Sequence, residues 1–143
     1  MKRKLFIEKI LSALTIALLP SVAMGSQKQQ RPGKGFKVDA GKDRFDDRIE
    51  LYEGDVFHCK VCGKDTHGDL YIYESTRVKK GGPAEHFHYD QDELFFIMDG
   101  EFVIKVGDST YTAKTGDSVF APRGVPHVWA KINDGPAKMM VTF

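Results

Sequence analysis

From residue 49 onward the chain alternates short apolar runs with turn-forming residues, a pattern that predicts strands and not helices. The runs are 49–52, 55–61, 70–78, 94–98, 101–106, 110–113, 118–121, 127–132 and 138–143. No stretch of comparable length carries the 3.6-residue period of an amphipathic helix. Asp99-Gly100 predicts a two-residue hairpin, because both positions tolerate the positive φ of a type I′ turn, and Gly107-Asp108 predicts a second tight turn. Further breaks fall at Gly63-Lys64-Asp65, Gly81-Gly82-Pro83, Thr115-Gly116-Asp117 and Asn133-Asp134-Gly135-Pro136. Short strands at this spacing predict an all-β barrel or sandwich.

Alternation also assigns faces. Phe95 and Ile97 share the face of Glu93, and Trp129 shares the face of His127, so these are expected to point into the barrel, with Trp129 the candidate pocket wall. Leu94, Phe96 and Met98 make the opposite face apolar as well. A sheet apolar on both sides is expected to be covered from outside, by another strand layer or by a second subunit in a homodimer.

Length changes this picture little: 143 residues, 41% hydrophobic and 29% charged, suit one domain. The first residues change it more. Lys2, Arg3 and Lys4 precede an apolar stretch, Ile10 to Leu19, and Ala23 and Gly25 follow as small residues, the order of an export signal cleaved after Gly25. The stretch is too short for a membrane span, so no stable membrane insertion is expected after cleavage. The expected organisation is a signal peptide over 1–25, a flexible leader of Gln, Lys, Arg, Pro and Gly over 26–35, and one domain over 36–143, in a periplasmic or secreted location. Loss of Lys2, Arg3, Lys4 and Lys9 against Glu8 removes a net charge of three, from +1 to −2. The remaining basic residues form no stripe, which excludes a nucleic-acid partner.

His86 and His88 stand two apart in a β context, so both imidazoles leave one face. Glu93, five residues beyond His88, falls on the opposite face of a regular strand, so the chain must bend or bulge at Tyr89 to Gln91. His127 arrives from a distant segment, after a turn announced by Pro122, Gly124 and Pro126. Three imidazoles and a carboxylate suit one divalent transition metal ion, Fe, Mn, Ni, Cu or Zn, and four protein ligands leave an octahedral ion positions open for a small molecule.

The spacing His86, one residue, His88, four residues, Glu93, six residues, Gly100 resembles the first motif of the cupin superfamily. Gly116, five residues, Pro122, one residue, Gly124, two residues, His127 resembles the second. The resemblance implies a single cupin barrel, a double-stranded β-helix or jelly roll, with His86, His88, Glu93 and His127 as metal ligands. Two positions depart from the family pattern: Lys80 stands where a glycine is usual and Lys131 where an asparagine is, with Gly81 and Asn133 nearby. The wider stretch from Gly63 through Gly81-Gly82-Pro83 to Ala121-Pro122-Arg123-Gly124-Val125-Pro126-His127 is similar to small single-domain cupins of the quercetin 2,3-dioxygenase kind.

Cys59 and Cys62 form a Cys-x-x-Cys pair, read as a disulfide in an oxidising compartment or as two free thiols. A redox centre is discounted because the pair ends a β segment, where no helix N-terminus stabilises a thiolate. Zinc is discounted because His58 and His67 lack a standard spacing. Two functions remain in view. One is a metal-dependent dioxygenase for a small hydroxylated aromatic or enol-like substrate, with Glu93 as ligand and catalytic base. The other is a barrel that binds metal or a small ligand without turnover.

Overall fold

The computed structural model describes residues 33–47, 49–51 and 55–143; the expected signal peptide and most of the expected leader lie outside them. Nine strands are present among these residues: β1 Ile49–Leu51, β2 Asp55–Val61, β3 Ile72–Arg77, β4 Glu93–Asp99, β5 Glu101–Val106, β6 Ser109–Lys114, β7 Ser118–Ala121, β8 His127–Lys131 and β9 Ala137–Thr142. The all-β expectation and the strand positions hold. A single helical turn, α1 Gly63–Thr66, follows β2, and among the described residues no helix is long and apolar enough to cross a membrane.

The strands form two antiparallel sheets, six strands in the order β1-β2-β3-β9-β4-β7 and three in the order β6-β5-β8. Period-two burial drives them together. In the large sheet Phe95, Ile97, Met139 and Val141 are wholly buried, and they meet Phe102, Ile104 and Trp129 from the small one. Each inward row starts from a polar residue: Glu93, then Phe95 and Ile97 along β4, and His127, then Trp129 and the buried Lys131 along β8. At the other end of the interior Arg77 pairs with Asp55, both buried.

Asp99-Gly100 is not a hairpin. β4 pairs with β7 and β9 whereas β5 pairs with β6 and β8, so this dipeptide carries the chain around a corner from one sheet to the other. Gly100 has φ +88°, and a Cβ there would stand 2.5 Å from the Cβ of Ala137. Local turn chemistry asks only for positive φ, which a corner meets as well as a hairpin. Gly107-Asp108 is a true hairpin loop, closing on the Val106–Ser109 pair.

The outer face of β4 is bare: Leu94, Phe96 and Met98 are exposed, and no strand layer covers them among the described residues. Trp129 is core and not a pocket wall, 4% exposed and packed edge-on against Phe102.

Candidate metal centre

Segment 81–88 runs beside β8 and brings the two histidine-bearing stretches together. It makes two antiparallel bridges, Gly81 with Lys131 and His86 with His127. Five steps on one side answer four on the other, so the segment bulges between the bridges. The bulge presses Gly82 onto β8, where an added Cβ would lie 1.7 Å from the Trp129 carbonyl oxygen. Glycines thus stand where the backbones touch, beside Lys80. Lys131 is buried and donates from Nζ to the Asn133 carbonyl at 2.6 Å, while Asn133 Oδ1 accepts from the Glu101 N–H at 3.1 Å.

Beyond His88 the chain bends at Tyr89-Asp90, as the five-residue spacing requires, and β4 starts at Glu93. Asp92 fixes the bend: its carboxylate accepts from the Arg123 backbone N–H at 2.9 Å and from Nη2 at 2.8 Å. Those bonds hold the Asp92 carboxyl down at about 2. Gly124 N–H donates to the His88 carbonyl at 2.7 Å. The turn before His127 is therefore tied to both sides of the bend.

The result is one cluster. Donor atoms of His86, His88, Glu93 and His127 all lie within 4.8 Å of one another. The imidazole centroids are 4.7 to 5.5 Å apart, with planes inclined to each other by 37° to 85°. Two tautomers are set by the backbone. Carbonyl oxygens only accept, so His86 Nδ1 donates to Ala84 O and His127 Nδ1 donates to Val125 O, each at 2.9 Å. Each Nε2 is left with its lone pair, the state a metal needs. These two carbonyls orient the rings of His86 and His127.

Glu93 and His127 are buried, 2% and 1% exposed, while His86 and His88 are partly open. Burial pushes the Glu93 carboxyl up to about 7, against a smaller opposing pull from His86. Burial first, then the charges of His86 and His127, hold His88 below the ordinary 6.5. His88 Nε2 is buried with no hydrogen-bond partner, though Glu93 Oε2 is 3.3 Å away. A buried ring nitrogen without a partner, beside a buried carboxyl group, fits a cation, and the set of three imidazoles and one carboxylate suits Fe, Mn, Ni, Cu or Zn.

Four aromatic residues flank this centre. Phe143 sits edge-on to His88 with centroids 5.1 Å apart, Tyr73 lies 5.9 Å from Phe143, and Tyr71 and Phe57 pack behind. The Tyr73 phenol is pushed up by burial and by the nearby Glu93 charge. Sequence reasoning missed these residues. Tyr71 and Tyr73 carried a signal, two aromatics on one strand face, but their place beside Glu93 depends on the order β3-β9-β4. A cavity of about 400 Å³ lies elsewhere, lined by residues that include Asp43, Asp46 and His58, and none of the four clustered residues lines it.

Cys59 and Cys62 are free thiols outside the cluster. Cys62 follows β2 as the N-cap of α1, so the pair does meet a helix N-terminus, contrary to the expectation that it only ends a β segment. The thiolate is disfavoured for another reason: burial and the Asp43 carboxylate push the Cys59 thiol up.

Residues 74–143 match the family described as Cupin domain. Together with the two-sheet architecture, this shows a cupin jelly-roll fold over the described residues. No curated protein matches the chain. Among solved structures, KdgF from Halomonas sp. is 16% identical, over 68% of this chain and 85% of that one, with a TM-score of 0.60. A predicted oxalate decarboxylase from Thermotoga maritima is 17% identical, over 67% and 88%, with a TM-score of 0.60. Fe(II) HppE is 23% identical, over 76% and 63%, with a TM-score of 0.57. Likeness at these identities concerns the fold, which hosts unrelated reactions.

Proposed function

We propose that this chain is an exported metal-dependent cupin that oxygenates a small hydroxylated aromatic or enol-like substrate, with His86, His88, Glu93 and His127 as metal ligands and Glu93 also as the base. The observation that carries the reading is Glu93, a buried carboxyl pushed up to about 7 within reach of His88 and His127. A divalent ion held there supplies Lewis acidity toward a hydroxyl oxygen and, where redox-active, a route for electrons to dioxygen. By partly leaving the ion, the Glu93 carboxylate takes the substrate hydroxyl proton, the general-base part of the step. His86 and His127 keep their orientation because their Nδ1 atoms are held by backbone carbonyls. Phe143 and Tyr73 offer flat apolar surface to a ring beside His88. Fe(II) in HppE, a fold relative, makes iron one reasonable choice of ion.

Oxygen consumption by metal-loaded protein over a panel of catechols and flavonols tests the reading. Uptake matched to substrate loss is expected; binding of a panel member without uptake would favour a module that holds ligand and turns nothing over. One observation leans toward that second reading: the Tyr73 phenol, raised by burial and Glu93, stays protonated and offers no second base. Export is supported by the charged start, the apolar stretch and Ala23 and Gly25. Intact-mass measurement on protein from its native compartment should give a chain starting at Ser26, and retention of Met1 to Gly25 would overturn export.

A further inference from the structure

The segment 39–47 runs as a strap along β2 and is stitched to it at one residue. The Asp43 carboxylate accepts from the Cys59 N–H at 2.6 Å, and the Arg44 N–H donates to the Cys59 carbonyl at 2.8 Å. Between the strap and the sheet lies the cavity of about 400 Å³, lined on the strap side by residues that include Lys42 and Asp46 and on the sheet side by Val56, His58 and Thr76. Val56 is paired with Thr76 and His58 with Glu74, so alternation puts all four on the outer face of β2 and β3. The metal centre contributes nothing to this cavity.

Two polar atoms at its sheet side lack partners. His58 Nδ1 and Glu74 Oε1 are buried with no hydrogen bond and face each other at 3.9 Å, beyond hydrogen-bond reach. Glu74 is only 5% exposed. Its other oxygen, Oε2, meets Lys60 Nζ at 3.4 Å, and Lys60 also donates to the Lys42 carbonyl at 2.7 Å, so an ammonium already matches the carboxylate charge. His58 is then needed only as a neutral ring. With a carboxylate facing Nδ1, the ring hydrogen belongs on that nitrogen, and Nε2 brings a lone pair to the cavity that the ring lines. Asp43 offers little there, because its carboxylate is committed to the N–H groups of Phe45, Asp47 and Cys59. What remains for a ligand is a set of acceptors: His58 Nε2, the Thr76 hydroxyl oxygen and the carboxylate of Asp46, an exposed strap residue with a left-handed φ of 57°.

We propose that this cavity binds a small primary amine in its ammonium form. An ammonium group carries three N–H donors and no acceptor, which matches a wall of three acceptors. An anionic ligand would meet the Asp46 carboxylate there in place of a donor. A metal ion is a poor occupant, since the volume is that of a small-molecule site and the described residues gather three or more metal-ligating groups only at His86, His88, Glu93 and His127. Lys42, the one basic residue of the lining, is exposed and can turn its charge to water. Glu74 is a positioning residue in this scheme, acting on the ligand through the His58 ring. The proposal is independent of the metal chemistry.

Isothermal titration calorimetry on the full, metal-loaded chain tests it, with putrescine, ethanolamine and glucosamine as the primary amines. Choline, which has the charge without N–H donors, and butanediol, which has neither the charge nor an N–H, are the controls. Wild type should bind at least one of the amines at one site per chain and neither control. His58→Gln and Asp46→Asn should each weaken that binding at least tenfold. Asparagine tolerates the left-handed backbone of Asp46, so this variant still decides if His58→Gln fails to fold. His86→Ala should bind the amine as wild type does, which separates the cavity from coordination of the amine to the metal. Binding of none of the amines, equal binding of choline, a folded Asp46→Asn variant with wild-type affinity, or loss of amine binding in His86→Ala would each overturn the proposal.

Discussion

Glu93 Oε2 lies 2.7 Å from His127 Nε2, although the residues are 34 positions apart and belong to different sheets. Because His127 Nδ1 is already donating to Val125, the nitrogen facing Glu93 carries a lone pair. A carboxylate and a lone pair at that distance need a positive charge between them, which a proton supplies without metal and a divalent ion supplies with it. The buried pair is thus a proton site, and in the proposed chemistry the same place holds the metal.

A pH dependence follows, with a definite sign. The Glu93 carboxyl rises from the ordinary 4.5 to about 7 in the fold, so the folded state holds a proton that the unfolded state releases. Its contribution to metal-free stability is full below pH 4.5 and is lost as pH climbs through about 7. His88, shifted downward, acts in the opposite sense, so the comparison must isolate Glu93. Urea melts of chelated protein at pH 5 and pH 8 should show wild type losing more stability than Glu93→Gln. Equal losses would show that Glu93 is not held protonated. In the metal-loaded protein the same proton competes with the ion, so affinity should weaken on acidification below about 7.

Gly82 should be intolerant of any side chain. A Cβ 1.7 Å from the Trp129 carbonyl oxygen forces β8 and the 81–86 segment apart, and both carry ligand histidines. Gly82→Ala should cost about 3 kcal/mol or more, the upper range for overpacking, and should weaken metal binding as well. Gly116→Ala is the control for backbone strain alone, since Gly116 has φ +95° but nothing within 4 Å of an added Cβ. If the two variants melt alike, the close approach has no special role.

Metal content should survive loss of both thiols. Cys59 and Cys62 stand outside the ligand cluster, and the buried Cys59 thiol is pushed away from ionisation. The Cys59→Ser, Cys62→Ser double variant should retain one ion per chain by elemental analysis. Loss of the ion from a folded double variant would place the metal elsewhere.

The strands and the shared side of His86 and His88 were legible because each depends on spacing of one or two residues, whereas the gathering of Glu93 and His127 beside them was implied by the motif resemblance. The His86/His88 pair follows from alternation, and the misfit of Glu93 forced a bend that occurs at Tyr89-Asp90. What depends on strand order was not legible. Asp99-Gly100 reads as a hairpin locally, yet β4 and β5 lie in different sheets, a choice made by which apolar faces meet. Trp129 alternates with His127 and so shares its face, but alternation does not say how far along the barrel the site extends; two residues on, the interior is already packed by Phe102. The aromatic flank of Tyr73 and Phe143 needed β9 to lie between β3 and β4.

The account rests on four side chains holding one divalent ion, and ligand-by-ligand removal tests it most directly. His86→Ala and His88→Ala should each lower affinity for the ion at least tenfold, about 1.4 kcal/mol, because water replaces an imidazole only weakly. Folding should persist, since both residues are partly open and the core lies among Phe95, Ile97 and Met139. Elemental analysis alongside thermal melts supplies the reading: each variant should melt near the metal-free wild type and respond little to added metal. Two folded variants that bind the ion as tightly as wild type would contradict the four-residue centre and, with it, the proposed chemistry.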